Sequence, residues 1–408
     1  MKTFIKKLYN PSINVYLYSL LLIITPFLLL QNYLQDAIVI LSRLSFNLGS
    51  IEIPIILTLL FVFVITLFIA FRKQITWVRI IAWLVIIFMW ALGQRSTDYY
   101  LNTKFYDLQH NWHYIAYGLF AILTYRALKQ KKFAPAKIIY LTFVRALMIS
   151  TFDEAIQIII SSRVFDISDI AKDAWGVLMG IIFIFFIIEQ GEIFKTNRKI
   201  RQKKIKDYLH NPVSILVLEL ILVYLLLVFS SILSESKFWF VIILVTAAIF
   251  SIIFFIIHKS QHKNYRRTFF VLAVVLIIIQ AFSFFGNINK NITHHQKWLT
   301  VYKGIPIPYF DVMIHENGTF RLVDKKINFN QADIMFFCNN TSNILLIGYG
   351  EEKIGRMGFT QDLESQFMFN PLKKKALQII LLPSTEACKE YNRLKREGKK
   401  VLFILHNS

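Results

Sequence analysis

Long apolar stretches separated by short basic runs constrain this chain more than any other feature of its sequence. A helix needs about 20 apolar residues to cross the hydrocarbon core of a bilayer. Nine stretches reach or approach that length, and they are Val15–Leu34, Pro54–Phe71, Trp77–Leu92, Trp112–Leu128, Ile138–Ile160, Ala174–Ile188, Val213–Leu233, Phe238–Ile257 and Thr268–Phe285. The third and the sixth are short, so we expect flanking residues or local thinning of the bilayer to complete them. The pattern predicts an α-helical polytopic membrane protein with about nine transmembrane helices.

Composition excludes two other classes of protein. Apolar residues make up 56% of the chain and charged residues only 17%, which excludes a disordered protein. Two cysteines in 408 residues are too few for a secreted fold held together by disulfides. A membrane protein is the class that remains.

The distribution of charge predicts the orientation of the chain. The 46 Lys and Arg residues outnumber the 25 Asp and Glu, but they lie in loops between apolar stretches, so the formal charge of +21 does not indicate nucleic-acid binding. With the N-terminus inside, the cytoplasmic segments hold 22 cations and the opposite loops 6. We therefore predict a bacterial multi-pass protein of the cell (inner) membrane, with a cytoplasmic N-terminus, membrane lipids as partners and no nucleic acid.

The composition changes after Phe285, and residues 286–408 contain no apolar run long enough to span. Asn317-Gly318 lies between two alternating segments, which predicts a hairpin with a type I′ turn. A strand–helix–strand unit follows, with predicted strands at Asn343–Ile347, Gln378–Leu382 and Val401–Leu405, a helix capped by Ser384 or Thr385, and a stop at Gly398. These signals predict a small soluble α/β domain, which lies outside the cytoplasm if all nine spans are real.

The chain divides into five predicted parts. They are two N-terminal transmembrane helices (1–75), a four-helix membrane domain (76–192), a basic cytoplasmic linker (193–210), three further transmembrane helices (211–285) and the soluble domain (286–408). Asp36–Ile53 is too polar for another span, so we expect an interfacial helix there.

Polar side chains in the four-helix domain predict a pocket. Ionisable groups are costly at bilayer depth, so each one is a candidate functional residue. Three sets of residues are predicted, each on one face of its own helix. The first set is Ser150, Glu154, Gln157 and Ser161, and the second is Asp169, Asp173, Gly176 and Gly180. The third set is His110, His113 and Tyr117. The two glycines predict the close approach of another helix. In the predicted topology an outward-facing pocket is formed by His110, His113, Tyr117, Glu154, Gln157, Arg163, Asp169 and Asp173.

The same residues resemble those of the VanZ family of membrane proteins. The resemblance rests on His113 with Tyr117, Glu154 with Gln157, Arg163, Asp169 with Asp173, and Gly176 with Gly180. It covers about residues 78–190, and the chain has Gln109-His110 where the family often has Asp-Lys before the histidine. The resemblance implies a link to resistance against teicoplanin-type glycopeptide antibiotics, with no established reaction.

The tail resembles a small single-domain α/β family whose mitochondrial member is a respiratory complex I assembly factor. The matching segments are Ile344–Gly350, Thr385–Leu394 and Glu397–Val401, within residues 311–408. Members of that family are mostly soluble proteins inside the cell or organelle.

Three functions fit these observations. The first is a non-enzymatic envelope protein that binds a lipid-linked or cell-surface ligand: Glu154 and Asp169 accept hydrogen bonds, Arg163 clamps an anionic group, and His113 tunes the charge. The second is an enzyme that modifies a lipid-linked intermediate, with Glu154 and His113 as acid and base. The third is an assembly or scaffolding role carried by the tail.

Simpler roles stay open for the same side chains. Glu154 and Gln157 also suit hydrogen bonding between helices, and Asp169 and Asp173 suit the positive end of a helix dipole. Arg163 also suits an ion pair with a neighbouring aspartate at the membrane interface.

Neither a cofactor nor a metal is predicted. His110 and His113 have the spacing of a zinc-binding pair, but no third ligand is fixed by the sequence. Cys338 and Cys388 are expected to be free buried thiols, with a disulfide as the alternative if the tail lies in an oxidising compartment.

Overall fold

The computed structural model describes residues 10–29, 40, 44–48, 51–55, 58–59, 61–62, 65–66, 69, 76–97, 108–159, 165–194, 204–287, 290–296, 299–323, 337, 341–350, 365–370 and 375–407. The chain falls into two compact units. One consists of residues 1–231 and 236–261, and the other of residues 232–235 and 262–408.

Helices occur in both units and make up most of the first. The α-helices with both ends in the described residues are α1 (Pro11–Leu29), α2 (Trp77–Ser96), α3 (Leu108–Gln130), α4 (Pro135–Gln157), α5 (Ile167–Ile182), α6 (Ile205–His210), α7 (Pro212–Ile232), α8 (Trp239–Ser260), α9 (Lys263–Gly286) and α10 (Ser384–Arg396). Six segments of the described residues are long and apolar enough to cross a membrane, namely Trp77–Ser96, Pro135–Gln157, Ile167–Ile188, Pro212–Ile232, Ser236–Ser260 and Lys263–Ser283. The predicted helical architecture, with several helices long and apolar enough to span a membrane, is confirmed, whereas the number of nine spans is not.

The spans differ from the predicted stretches in length. The third and the sixth stretches belong to segments of 20 and 22 residues, so neither needs a thinner bilayer. Helix α3 has 23 residues but is not among the six, because polar and charged residues such as Asn111, Arg126 and Lys129 lower its hydropathy. Among the residues whose side chains the structure describes, the apolar segment of α1 is Pro11–Thr25, and half of the second stretch, Pro54–Phe71, lies outside the described residues.

The interfacial helix predicted for Asp36–Ile53 is wrong for residues 45–48 and 51–53, which are strands, whereas Ile40 is helical. Ser45–Leu48 (β1) and Ile51–Pro54 (β2) form an antiparallel pair in which Leu48 lies opposite Ile51. Polar and apolar residues alternate in both strands, which is the period-two pattern of a half-buried strand.

Glycines set the distance between α3 and α5. A Cβ atom added at Gly180 would lie 2.6 Å from the carbonyl oxygen of Gly118, and one added at Gly176 would lie 2.8 Å from Cα of Tyr114. Only glycine permits two backbones to approach this closely. Large side chains that are almost fully buried fill the surrounding core, among them Phe120, Leu128, Ile139, Leu178 and Ile181.

The tail contains two sheets. The larger has six strands in the order β7-β6-β11-β8-β10-β9, formed by Asp311–Ile314 (β6), Phe320–Val323 (β7), Ile344–Gly348 (β8), Ser365–Asn370 (β9), Lys375–Leu382 (β10) and Val401–Leu405 (β11). Strand β8 runs parallel to β10 on one side and to β11 on the other. The smaller sheet is antiparallel and consists of Ile292–Gln296 (β3), Leu299–Tyr302 (β4) and Ile305–Pro308 (β5).

The predicted βαβ unit is present in the tail. Strand β10, helix α10 and strand β11 follow each other, and α10 packs against β8, which lies between the two strands. Gly398 (φ +72°) follows the helix in the left-handed conformation, as predicted for its stop. A Cβ atom at Gly348 would lie 2.9 Å from Leu405 and 3.2 Å from Ser384, so Gly348 allows the close packing of helix on strand.

Three details of the tail differ from the prediction. The hairpin pairs Ile314 with Phe320 as expected, but Asn317 does not have the positive φ of a type I′ turn and Gly318 (φ +82°) does. The residue at the N-cap of α10 is Pro383, and the Ser384 hydroxyl donates a hydrogen bond to the carbonyl oxygen of His406 instead. The sequence at His294-His295, between the last apolar stretch and the predicted hairpin, also indicates a linker, but both histidines are part of strand β3.

Candidate functional site

His113 on α3 lies between two aspartates of α5. Its Nδ1 atom is 2.8 Å from Oδ1 of Asp173, and its Nε2 atom is 3.8 Å from Oδ1 of Asp169. The two aspartates are one turn apart on α5, so both carboxylates lie on the same face of that helix. The close approach of the two helices at Gly176 brings the imidazole within hydrogen-bond reach of this face.

Asp173 connects three helices. Its Oδ1 atom meets His113 on α3, and its Oδ2 atom accepts a hydrogen bond of 2.6 Å from the hydroxyl of Ser150 on α4. Only 3% of the Asp173 side chain is exposed. Asp173 therefore fixes the histidine from inside the bundle and is itself closed to a ligand.

Asp169 is the more accessible carboxylate. Its side chain is 26% exposed, and that of His113 is 23% exposed. Lys172, which is 7% exposed, donates to Oδ1 of Asp169 at 2.8 Å. The partly open edge of the site thus consists of a carboxylate and an imidazole, backed by a buried ammonium group.

Glu154 connects the end of α4 to the start of α5. Its Oε1 atom accepts a hydrogen bond of 2.7 Å from Nε2 of Gln157, and its Oε2 atom accepts one of 3.0 Å from the backbone N–H of Asp166. Asp166 in turn caps α5 by accepting from the N–H of Ser168 at 2.8 Å. These contacts agree with hydrogen bonding between helices, the simpler role left open for Glu154 and Gln157.

The enzyme hypothesis pairs Glu154 with His113 as acid and base, but the two side chains are not in direct contact. No hydrogen bond or ion pair joins Glu154 to His113, and both are described residues. The partner of the imidazole is Asp173. The hypothesis that Glu154 and His113 exchange a proton directly remains a prediction.

The remaining predicted residues are placed only in part. Tyr117 lies one turn after His113, is 3% exposed and has its ring centroid 6.3 Å from that of Phe120. Arg163 and Ser161 lie outside the described residues, as does the side chain of His110.

Helix α2 lies beside the same bundle. Nε1 of Trp175 donates to the carbonyl oxygen of Met89 at 2.9 Å. Nε1 of Trp90 and Nε2 of Gln94 both donate to Oδ1 of Asn111, at 2.6 Å and 3.0 Å. The tryptophan and amide contacts hold α2 against the start of α3 and the middle of α5.

The site is rich in hydrogen-bond acceptors. Its described carboxylates are Glu154, Asp166, Asp169 and Asp173, and its described cationic or ionisable basic groups are Lys172 and His113. Burial raises the pKa of Asp166, and the negative charge of Asp169 raises it further. Asp169 is partly exposed, so the site offers a carboxylate acceptor to a ligand that supplies hydrogen-bond donors.

Two residues of the bundle escaped the sequence analysis. Lys172 lies on the α5 segment beside the predicted aspartates, but only the structure shows that it is buried and paired with Asp169. Glu219 lies in α7 and is 6% exposed. The rule that selects ionisable groups at bilayer depth selects Glu219 as readily as Glu154.

Metal binding and the cysteines are the remaining chemistry of the described residues. Among them no group of three or more His, Cys, Asp and Glu side chains is arranged to hold a metal ion. Cys388 is buried, and Cys338 lies outside the described part of the chain.

Comparison with known proteins gives little further information. No family model matches the chain, and no curated protein matches it. Two solved structures are similar to part of it: "MT938", at 17% identity, and the conserved hypothetical protein PH1505 from Pyrococcus horikoshii OT3, at 19% identity. Each covers 29% of this chain, corresponding to 96% and 98% of the other chain, with a TM-score of 0.22. At this TM-score the likeness identifies neither a fold nor a function.

Proposed function

We propose that this protein binds a lipid-linked or cell-surface ligand at the site formed by His113, Asp169, Lys172 and Asp173. The observation that carries the proposal is the difference in exposure within this cluster. Asp169 and His113 are about a quarter exposed, whereas Asp173 and Lys172 behind them are almost fully buried. A partly open edge held by a buried, hydrogen-bonded layer is the arrangement of a preorganised binding site.

The chemistry of the edge suggests what the ligand offers. Asp169 is a hydrogen-bond acceptor, and its charge is balanced by Lys172, so an amine or hydroxyl group of the ligand would compete with that lysine. His113 Nδ1 is held by Asp173, which leaves Nε2 on the side of Asp169. Arg163, outside the described residues, is proposed to add a donor for an anionic group on the same ligand.

The site is proposed to face the outside of the cell. The distribution of lysine and arginine in the loops favours an outward-facing site in the cell membrane. The resemblance of His113, Glu154, Asp169 and Asp173 to the VanZ pattern suggests a contribution to resistance against teicoplanin-type antibiotics. Both statements rest on the sequence.

A resistance assay tests this proposal. Susceptible bacterial cells would express the full chain, Asp169→Asn or His113→Gln, with Glu386→Gln as a matched carboxylate-to-amide control on an exposed position of α10. We expect the two site variants to lose the protection against teicoplanin that the full chain gives, at equal abundance in the membrane, and the control to keep it. Full protection by both site variants would contradict the proposal, as would the absence of any protection by the full chain.

The hydrogen bond between His113 and Asp173 supports a second candidate function, acid–base catalysis on a lipid-linked intermediate. A buried carboxylate that orients an imidazole is the usual support for a histidine acting as a general base. Asp173→Asn would then abolish turnover of a lipid-linked substrate while leaving its binding intact. Equal loss of binding and turnover would favour the binding function.

A further inference from the structure

Glu219 is a buried carboxyl group inside a membrane-spanning helix. It lies in α7, a 21-residue helix whose segment Pro212–Ile232 is among the six candidate spans. It is 6% exposed, and the residues one turn away on its face, Ile215, Leu216 and Val223, are buried as well.

Neither carboxyl oxygen of Glu219 has a hydrogen-bond partner among the described residues. Glu154, the other buried glutamate of the bundle, has a partner for each oxygen, in Gln157 and the backbone of Asp166. The contacts of Glu154 account for its presence as a structural residue. No comparable contact accounts for Glu219.

An ionised carboxylate without partners is very costly in an apolar interior, and a group in that position becomes neutral instead. A neutral carboxyl group that is out of water and apart from other polar groups still destabilises the bundle relative to the leucines around it. Such ionisable groups inside spans generally belong to a pathway or site for an ion or proton.

The surroundings favour a proton over a metal cation. A bound cation needs several oxygen ligands, typically six or more for calcium or magnesium. No described polar atom reaches the Glu219 carboxyl group, and the described residues contain no cluster of metal-ligating side chains. A proton needs only the carboxylate oxygen itself.

We propose that Glu219 is a proton-binding site within the membrane-spanning bundle, and that it exchanges its proton with the solvent. The ring of Tyr224, five residues further along α7, lies 6.1 Å from the ring of Trp175 on α5, the helix that carries Asp169 and Asp173. Glu219 thus belongs to the same bundle as the His113 site. The proposal stands on the burial of Glu219 and does not rest on the proposed ligand-binding function.

Two measurements on the full chain in lipid vesicles test the proposal. The first is modification by a hydrophobic carbodiimide, which reacts from the lipid phase with protonated carboxyl groups, followed by mass spectrometry of the α7 peptide. We expect modification at Glu219 that weakens as the pH rises, and its loss in Glu219→Gln. Glu154→Gln is the matched control and should leave the modification of the α7 peptide unchanged.

The second measurement is the infrared absorption of protonated carboxyl groups in the wild-type protein, with Glu219→Gln as the reference. We expect one carbonyl band that is absent in the variant, shifts in heavy water and decreases at high pH. A band that neither exchanges nor titrates would identify a sealed structural group and overturn the proposal. The absence of both the band and the modification would overturn it as well, and the wild-type measurements hold even if the variant does not fold.

Discussion

The Nδ1 atom of His113 lies 2.8 Å from Oδ1 of Asp173, and this contact joins two helices that start at the same end of the bundle. Two contacts show that the helices run parallel. Gly176 lies against the backbone of Tyr114, and Gly180, four residues further along α5, lies against that of Gly118, four residues further along α3. Their N-terminal ends therefore add their partial positive charges on the side where Asp169 lies in the first turn of α5. Carboxylates are favoured there, and their position follows from the helix arrangement.

Asp173→Ala is expected to loosen the bundle around α3 and α5. The substitution leaves the hydroxyl of Ser150 and the N–H of His113 without their acceptor, which costs about 2–3 kcal/mol of stability when the groups are buried. Hydrogen–deuterium exchange of the α3 and α5 peptides measures the effect. Glu386→Ala, on an exposed position of α10, is the control, and equal exchange in the two variants would contradict the structural role of Asp173.

Gly180→Ala is expected to separate α3 from α5. The new Cβ atom would lie 2.6 Å from the carbonyl oxygen of Gly118 and 2.9 Å from Cβ of Ala121, and the backbone of α3 cannot yield as a side chain can. Overpacking of this kind costs about 1–3 kcal/mol. The measurement is thermal unfolding in detergent micelles.

Gly118→Ala is the matched control for this helix contact. A Cβ atom at Gly118 would meet only the carbonyl oxygen of Gly176, at 3.5 Å, which is an ordinary contact. Alanine is also the better helix former, by about 1 kcal/mol. We therefore expect Gly118→Ala to be neutral or stabilising, and the same loss in both variants would disprove the packing argument.

Helical spacing predicts much of the first unit from sequence. The face shared by Asp169, Asp173, Gly176 and Gly180 is visible at i, i+4, i+7 and i+11, and the structure places all four toward α3. The hydrogen bond of Glu154 to the backbone of Asp166 is not visible in the sequence. It depends on how the chain turns between α4 and α5, and no periodic pattern encodes that turn.

The short strands β1, β2 and β3 are not predicted from the sequence. Strands β1 and β2 have four residues each, and a composition that is too polar for a span was assigned to an interfacial helix. Strand β3 contains His294 and His295, which suggest a loop, yet it pairs with β4. Its N-terminal residue Ile292 is held from a distant part of the chain, since its N–H and carbonyl groups both bond the side chain of Asn392. Tertiary context of this kind is absent from local propensity.

The tail is expected to lose stability on mild acidification because of His315. Burial lowers the pKa of this histidine from 6.5 to about 3, and the positive charge of Arg321 contributes. Below pH 6.5 the unfolded chain takes up a proton that the folded tail does not, so stability falls between pH 6.5 and about 3, by up to about 1.4 kcal/mol per pH unit. Above pH 6.5 this residue contributes no pH dependence.

Hydrogen–deuterium exchange of the β6–β7 peptides in the full chain, corrected for the intrinsic rate at each pH, measures this dependence. His315→Gln removes the titrating group and keeps an uncharged polar side chain of similar size. We expect the acid-dependent loss of protection to be smaller in the variant. The same loss in wild type and variant would show that other groups of the tail carry the pH dependence.

Asp311→Ala is expected to destabilise the tail far more than a surface substitution. Asp311 is fully buried, and its carboxylate is 2.8 Å from Nδ1 of His406 and accepts the backbone N–H of Asn407 at 3.0 Å. Breaking a buried pair by removing one partner costs about 3–5 kcal/mol. Glu397→Ala, which breaks an exposed pair with Arg393, should cost far less, because water screens an exposed ion pair. Protease resistance of the tail compares the two, and equal sensitivity would contradict this prediction.

The side of the membrane on which the tail lies shows whether the number of spans is odd or even. The six described spans become nine if α1, the stretch Pro54–Phe71 and α3 also cross the membrane, and an odd number places the tail opposite the N-terminus, which is predicted to be cytoplasmic. We expect an alkaline phosphatase fused after the tail to be active, since that enzyme folds only outside the cytoplasm. The same reporter placed in the basic linker 193–210 should be inactive, because the linker is predicted to be cytoplasmic. A fluorescent protein that matures after the tail, with no phosphatase activity there, would reduce the number of spans to an even one.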